Sequence, residues 1–122
     1  MLNQVILTGN LGEDPKVNYS GKTGEPVANF DLAFYCGTNK DGSKKTGWIR
    51  CVCFKKTAEI TETHLHKGAR IAIAGNLDEN SWTTNDKRKR KNHQVVVNSI
   101  EFIKTDGRGF SEIKTMKHNH TK

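Results

Sequence analysis

The sequence predicts a small all-β domain: a five-stranded barrel with one short helix between its third and fourth strands. Three observations support this prediction. Only 34% of the 122 residues are apolar, which is too few for the core of a helical bundle or a doubly wound sheet and suits a compact barrel strengthened by oligomerisation. The apolar residues fall in short segments, several with the period-two alternation of half-buried strands. One helix-type segment interrupts them.

The first half of the chain contains three strand-type segments. Residues 5–9 are a β-branched apolar run that ends on a glycine, which indicates a strand with a bend or bulge. Turn-forming residues follow as far as Gly24. Residues 27–34 alternate apolar and polar side chains, and residues 48–54 form the third strand. Residues 36–47 between them are predicted to be a flexible basic hairpin loop.

The second half supplies the helix and the last two strands. Thr57 is predicted to cap a helix that runs to about Lys67, with Gly68 as its C-terminal stop. A fourth strand is expected at residues 70–77 and a fifth at 93–103, joined by a polar loop over 78–92. This order is the topology of the OB fold, a Greek-key barrel. We expect one domain over residues 1–105 and a flexible basic tail over residues 106–122.

The charge balance points to a polyanionic partner. Twenty Lys and Arg residues face 13 Asp and Glu residues, a formal net charge of +7, which favours nucleic acid or an anionic membrane face. No apolar run approaches the roughly 18 residues needed to span a bilayer, and the N-terminus lacks the pattern of a signal peptide. The odd number of cysteines, three, favours a reducing compartment. We expect a cytoplasmic, nucleoid-associated protein with no membrane contact.

Aromatic residues lie within or beside the basic segments of the sequence. Binding of a single strand without regard to sequence needs cations that follow the phosphates and flat faces on which bases stack. Trp48, Arg50 and Phe54 share one face of the third strand by the period-two rule. Trp82 lies in the predicted polar loop, where a core role is not expected. From the pattern alone, a core role for Phe54 stays open.

Five segments resemble the bacterial and mitochondrial single-stranded-DNA-binding protein family. They are NQVILTGNLGEDP at residues 3–15, VANFDLA at 27–33, WIRCVCF at 48–54, LHKG at 65–68 and AGNL at 74–77, followed by Ser81-Trp82. The resemblance covers residues 3–103 in consistent order and spacing. It implies an OB fold, assembly into a homotetramer with a dimer as fallback, and stacking roles for Trp48, Phe54 and Trp82.

The sequence departs from the family at three places. Many relatives carry a further aromatic residue at about Thr38, where this chain offers only the nearby Phe34 and Tyr35. Acidic residues precede Trp82 where the family is usually basic, so we expect the downstream basic run to compensate. The family's acidic tail, which recruits replication and repair proteins, is replaced by KHNHTK at residues 117–122. Either the sequence is shortened here or this protein does not recruit such partners in that way.

The candidate DNA-binding residues come from these arguments together. A basic run on a loop is often only a solvated surface, and that alternative stays open. The set comprises Trp48, Arg50, Phe54, Lys55, Lys56, Trp82, Lys87, Arg88, Lys89, Arg90, Lys91, Phe34, Tyr35, Lys44 and Lys45.

No catalytic or metal-binding pattern stands out. Cys51 and Cys53, with His64, His66, His118 and His120, lack a second ligand pair at a convincing spacing, so we interpret the two cysteines as strand packing and expect no metal or cofactor. The resemblance implies a non-enzymatic protein that coats and protects unpaired DNA in replication, recombination and repair. The alternatives are a primosomal-type OB-fold adaptor that holds other replication proteins on DNA, and a metal-dependent nuclease, which would need clustered acids.

Overall fold

The computed structural model describes residues 2–104. They form six strands and one helix: β1 (Val5–Leu11), β2 (Lys16–Tyr19), β3 (Pro26–Thr38), β4 (Lys44–Phe54), α1 (Lys55–His64), β5 (Arg70–Thr83) and β6 (Lys89–Lys104). The strand order is β1-β5-β6-β4-β3-β2, and β1 also pairs with β3. Five strands therefore close into a barrel, with α1 between its third and fourth strands. The predicted OB fold is confirmed. A further short strand, β2, which the sequence did not predict, pairs with residues 26–29 of β3, next to the residues that pair with β1.

Two glycines allow the barrel to close. At Gly9, β1 is paired with β5 and begins to pair with β3 as well. A Cβ atom on Gly9 would lie 2.1 Å from the carbonyl oxygen of Ala33, and one on Gly75 equally close to that of Val96. Only glycine permits these backbone approaches. The bend predicted at the end of the first strand-type segment corresponds to the Gly9 crossing.

The core lies inside the barrel and under α1. Leu32, Ile71, Ile73 and Val95 are fully buried or nearly so. Cys51 and Cys53 are also fully buried, which confirms their interpretation as strand packing. Burial raises the pKa of the Cys51 thiol to about 12 and also raises that of Cys53, so both remain neutral and pack as small apolar groups. The Thr61 hydroxyl donates a hydrogen bond to the Cys53 sulfur at 3.4 Å, which links α1 to β4.

The helix differs from its prediction at both ends. It begins at Lys55 and ends at His64, rather than spanning from Thr57 to about Lys67. Thr57 lies inside the first turn, where its hydroxyl donates to the carbonyl of Phe54 at 2.9 Å. The chain therefore passes from strand to helix directly at the end of β4, and no side chain caps the helix. In residues 2–104, the only helix is too short and too polar to cross a membrane.

The two predicted loops are largely strands. Residues 36–47 reduce to a turn between β3 and β4, in which Asp41 accepts hydrogen bonds from the backbone and hydroxyl of Ser43. Residues 78–92 were wrongly predicted as a loop: β5 and β6 continue pairing as far as Thr83 and Lys89. Polar side chains on both faces concealed these strands, because the hairpin projects beyond the core. The tail predicted over residues 106–122 lies outside the described residues.

Candidate nucleic-acid interface

Strand β4 directs its aromatic residues away from the core. Cys51 and Cys53 point inward, so the residues of even number point outward. Trp48 is 61% exposed and Phe54 48% exposed, and Arg50 lies between them. The face that carries these three residues is called the outer face below. Phe54 is therefore not a core residue.

The strand register extends the outer face from the barrel onto the β5–β6 hairpin (residues 78–94). Arg50 pairs with Gln94, and Gln94 pairs with Asp78. Paired residues share a face, and so do alternate residues along a strand. Four residues beyond Asp78, Trp82 pairs with Arg90 and is 47% exposed. Trp48, Phe54 and Trp82, taken from distant parts of the sequence, thus lie on one continuous face.

The basic run is divided by the hairpin rather than held as one patch on a loop. Lys87 and Arg88 lie at the turn, and the Arg88 guanidinium is 3.5 Å from the Asp86 carboxylate. The hydrogen bond from Thr84 lowers the pKa of Asp86, which keeps that carboxylate charged. Arg90 shares the outer face with Trp82, whereas Lys89 and Lys91 point to the opposite face. The prediction of a single loop patch is corrected because strand pairing alternates side chains.

The acidic residues that precede Trp82 hold the hairpin together. Asp78 accepts a hydrogen bond from the Gln94 amide at 3.0 Å. On the opposite face, Glu79 is 3.0 Å from the ring Nε2 atom of His93. Both acids therefore have partners on β6.

The remaining candidates divide between the two faces. Tyr35 is 63% exposed and pairs with Thr46, which places it on the outer face beside Trp48. Phe34 has the opposite parity and is half-buried; a Cβ on Gly47 would lie 2.5 Å from its ring. Lys44 shares the outer face with Thr46, whereas Lys45 points the other way. The structure therefore does not bring Phe34 or Lys45 to the outer face.

Lys55 and Lys56 lie immediately beyond Phe54, in the first turn of α1, and both are exposed. Lys55 has a φ of 53°, a left-handed conformation that turns the chain from strand to helix. The N-terminus of a helix carries a partial positive charge. This corner of the barrel therefore places two full charges and a helix dipole next to an exposed ring.

Two surface grooves lie beside β4. The mixed-charge groove, of about 260 Å³, is lined by Lys16, Arg50 and Trp48 together with Glu13, Asp14 and Asp31. The basic groove, of about 400 Å³, is lined by Tyr35, Lys44, Thr46 and Arg70. Sequence analysis missed Lys16 and Arg70, because neither lies in a basic run or close to Trp48, Phe54 or Trp82 along the chain. Only the pairing of β1 with β5 brings Arg70 to this surface.

Gly12 controls the position of the Trp48 indole. A Cβ atom on Gly12 would lie 2.6 Å from Cζ3 of the indole, so the ring rests against the backbone there. On the same side, Arg50 pairs with Asp31, Nε to Oδ1 at 3.4 Å. Within residues 2–104, no three His, Cys, Asp or Glu side chains are grouped so as to hold a metal ion.

Comparison with known proteins gives one consistent family. A model described as the single-strand binding protein family matches residues 2–103. The single-stranded DNA-binding protein of Clostridium perfringens is 33% identical over 108 residues, which cover 88% of this chain and 70% of that protein. That of Halalkalibacterium halodurans is also 33% identical over 108 residues, 88% of this chain and 64% of its own length.

A solved structure shares the fold. It is the Plasmodium falciparum SSB complex with ssDNA, which superimposes with a TM-score of 0.75 at 24% sequence identity. The match covers 85% of this chain and 97% of the other. This likeness independently supports the barrel described above.

Proposed function

The chain belongs to the single-strand binding protein family, and from that membership we propose that it binds single-stranded DNA without regard to base sequence, coating and protecting unpaired strands. The outer face carries this proposal. Three large aromatic side chains, Trp48, Phe54 and Trp82, are about half-exposed or more on one continuous surface. Exposed rings in a small domain are a liability unless they serve a partner. Every base offers a flat face, so stacking tolerates any sequence.

Cations accompany the rings, as a phosphate backbone requires. Arg50 lies between Trp48 and Phe54 on β4, Arg90 pairs with Trp82 across the hairpin, and Lys55 and Lys56 follow Phe54. The formal net charge of +7 adds long-range attraction. Binding supported in this way weakens as salt rises, because each phosphate contact releases condensed counterions.

The proposal extends to assembly and cellular role. We expect a homotetramer, with a dimer as fallback, since the core is small and Ile6 on β1 is 68% exposed. Within the described part of the chain, residues 5–8 of β1 pair with β5 alone, which leaves one edge of that strand open. The chain spans about two thirds of the length of the relatives it matches. By analogy with the family, it would act in DNA replication, repair and recombination, in the cytoplasm with the nucleoid, without catalysing a reaction.

A fluorescence titration tests this function. Both tryptophans lie on the outer face, so stacked bases should quench their emission. Oligo(dT) should quench it saturably at moderate salt, whereas duplex DNA of equal length should bind far more weakly, because its bases are already stacked. Equal binding of both would reduce the protein to a general basic surface. Light scattering at micromolar concentration tests assembly, and a single 13.7 kDa species would contradict it.

A further inference from the structure

A row of four polar side chains crosses the outer face from β3 to β5. Asp31 pairs with Arg50 in the strand register, and Arg50 pairs with Gln94. Gln94 pairs in turn with Asp78. Paired residues share a face of the sheet, so the four side chains form one line, called the polar row below. The polar row contains two carboxylates and one cation.

The polar row lies between the exposed aromatic residues. Phe54 follows Arg50 by four residues on β4, whereas Trp48 precedes it by two. Trp82 pairs with Arg90 near the start of β6, and β4 and β6 run parallel. Trp82 and Trp48 therefore lie on the same side of the polar row, and Phe54 lies on the other. The direct path of a DNA strand from Trp48 to Phe54 passes over Arg50.

Arg50, at the centre of this path, is paired with a carboxylate in the unbound protein. Its Nε atom donates to Oδ1 of Asp31 at 3.4 Å. The two side chains are 55% and 54% exposed, so water screens their attraction and the pair contributes little to stability. A phosphate can reach Arg50 from solvent, but it then has to replace Asp31 and meets the repulsion of that carboxylate.

The two carboxylates of the polar row have different partners. Asp78 accepts a hydrogen bond from the neutral amide of Gln94 at 3.0 Å, whereas Asp31 contacts the guanidinium of Arg50. On the same side of Arg50, Glu13 and Asp14 line the mixed-charge groove together with Asp31. Within the polar row, Asp31 is therefore the carboxylate placed to compete with a phosphate for Arg50.

We propose that Asp31 limits the affinity of the outer face for single-stranded DNA by competing with backbone phosphates for the guanidinium of Arg50. The proposal rests on the proposed function and adds a regulatory contact to it. Binding at Arg50 exchanges one anion for another, so it yields less attraction than binding at an unpaired cation would. Asp31 is thus a positioning residue that acts through Arg50.

Neutralising Asp31 tests the competition. Asp31→Asn keeps the size of the side chain and removes its charge. It should bind oligo(dT) about 1.5- to 5-fold more tightly at low salt, the value of one surface ion pair. The slope of log affinity against log salt should become steeper by up to about 0.7, because Arg50 then neutralises a phosphate fully. Asp31→Glu keeps the charge and should bind as the parent does.

A double-mutant cycle tests whether Asp31 acts through Arg50. Arg50→Gln should weaken oligo(dT) binding more in the Asp31→Asn background than in the parent, by the same factor of about 1.5 to 5. Asp78→Asn is the matched control, since it removes a carboxylate from the same row but leaves the Asp31–Arg50 pair in place. It should not change the cost of Arg50→Gln. Thermal melting verifies that each variant is folded.

The outcomes separate this contact from the function on which it rests. Unchanged or weaker binding by Asp31→Asn would overturn the proposal, and so would an equal cost of Arg50→Gln in the two backgrounds. Either result, in a parent protein that binds oligo(dT) and loses affinity in Trp48→Ala, would leave the proposed function intact. A parent protein that did not bind oligo(dT) would overturn the proposed function itself.

Discussion

The barrel and the hairpin that projects from it present their tryptophans by different means. Trp48 lies on a strand whose neighbouring inward residues, Cys51 and Cys53, are fully buried, and its indole rests against Gly12. Trp82 lies where side chains on both faces of the hairpin are exposed, and it pairs with Arg90 in the strand register. On the barrel, the core that stabilises the fold also positions the ring. On the hairpin, no core surrounds the ring, so we expect substitutions there to change affinity without affecting folding.

The largest difference between the two regions should be in stability. Ile73→Ala removes a side chain that is 1% exposed and should lower the free energy of unfolding by about 2–5 kcal/mol. Thr83→Ala, on the exposed hairpin of the same strand, should change it by about 0.5 kcal/mol or less. Urea denaturation at equal protein concentrations compares them. A comparable loss in Thr83→Ala would mean that the hairpin is part of the cooperative core.

Replacing the tryptophan in either region should lower the affinity for oligo(dT), whereas the effects on stability should differ between the two regions. Trp48→Ala and Trp82→Ala should each cost about 1–3 kcal/mol of oligo(dT) affinity, because each removes a surface for one base. Neither should change the salt dependence, since no charge is lost. Trp82→Phe keeps a flat ring and should retain most of the affinity. Isothermal titration at two salt concentrations measures these effects, and parental binding by Trp82→Ala would exclude the hairpin from the site.

The two faces of the hairpin should differ in a smaller effect, the salt slope. Arg90→Gln removes a cation on the face of Trp82 and should lower the slope by about 0.7. Lys91→Gln removes a cation from the adjacent position on the opposite face and should lower it less. Fluorescence titrations across a salt series compare the two. Equal losses would indicate that the strand follows both faces of the hairpin.

The same contrast explains what the sequence could predict. Burial imposes a period of two, so residues 27–34 and 48–54 were identified as strands and Trp48, Arg50 and Phe54 as sharing a face. Beyond the core this constraint is absent. Residues 78–92 are mostly polar on both faces of the hairpin, and the backbone hydrogen bonds that pair them cannot be recognised in a hydropathy pattern. The position of Arg70 on the surface depends on its pairing with Asn10, 60 residues away, which no local pattern encodes.

The smallest effect concerns the support of Trp48 by the barrel. Gly12→Ala would place a methyl group 2.6 Å from the indole, so the ring must shift. The emission spectrum of the unbound protein should change, and oligo(dT) affinity should fall by less than in Trp48→Ala, because the ring is displaced rather than removed. An unchanged spectrum would show that the indole does not rest on Gly12.

Removal of the bases from the ligand tests most directly whether stacking on the outer face contributes to binding. An abasic deoxyribose-phosphate strand keeps every phosphate of an oligo(dT) of equal length but has nothing to stack. Competition against labelled oligo(dT) at several salt concentrations would compare them. The abasic strand should bind more weakly by about 1–3 kcal/mol for each ring that stacks a base, with the same salt slope. Equal affinity of the two strands would contradict the stacking account and leave only a basic surface that attracts polyanions.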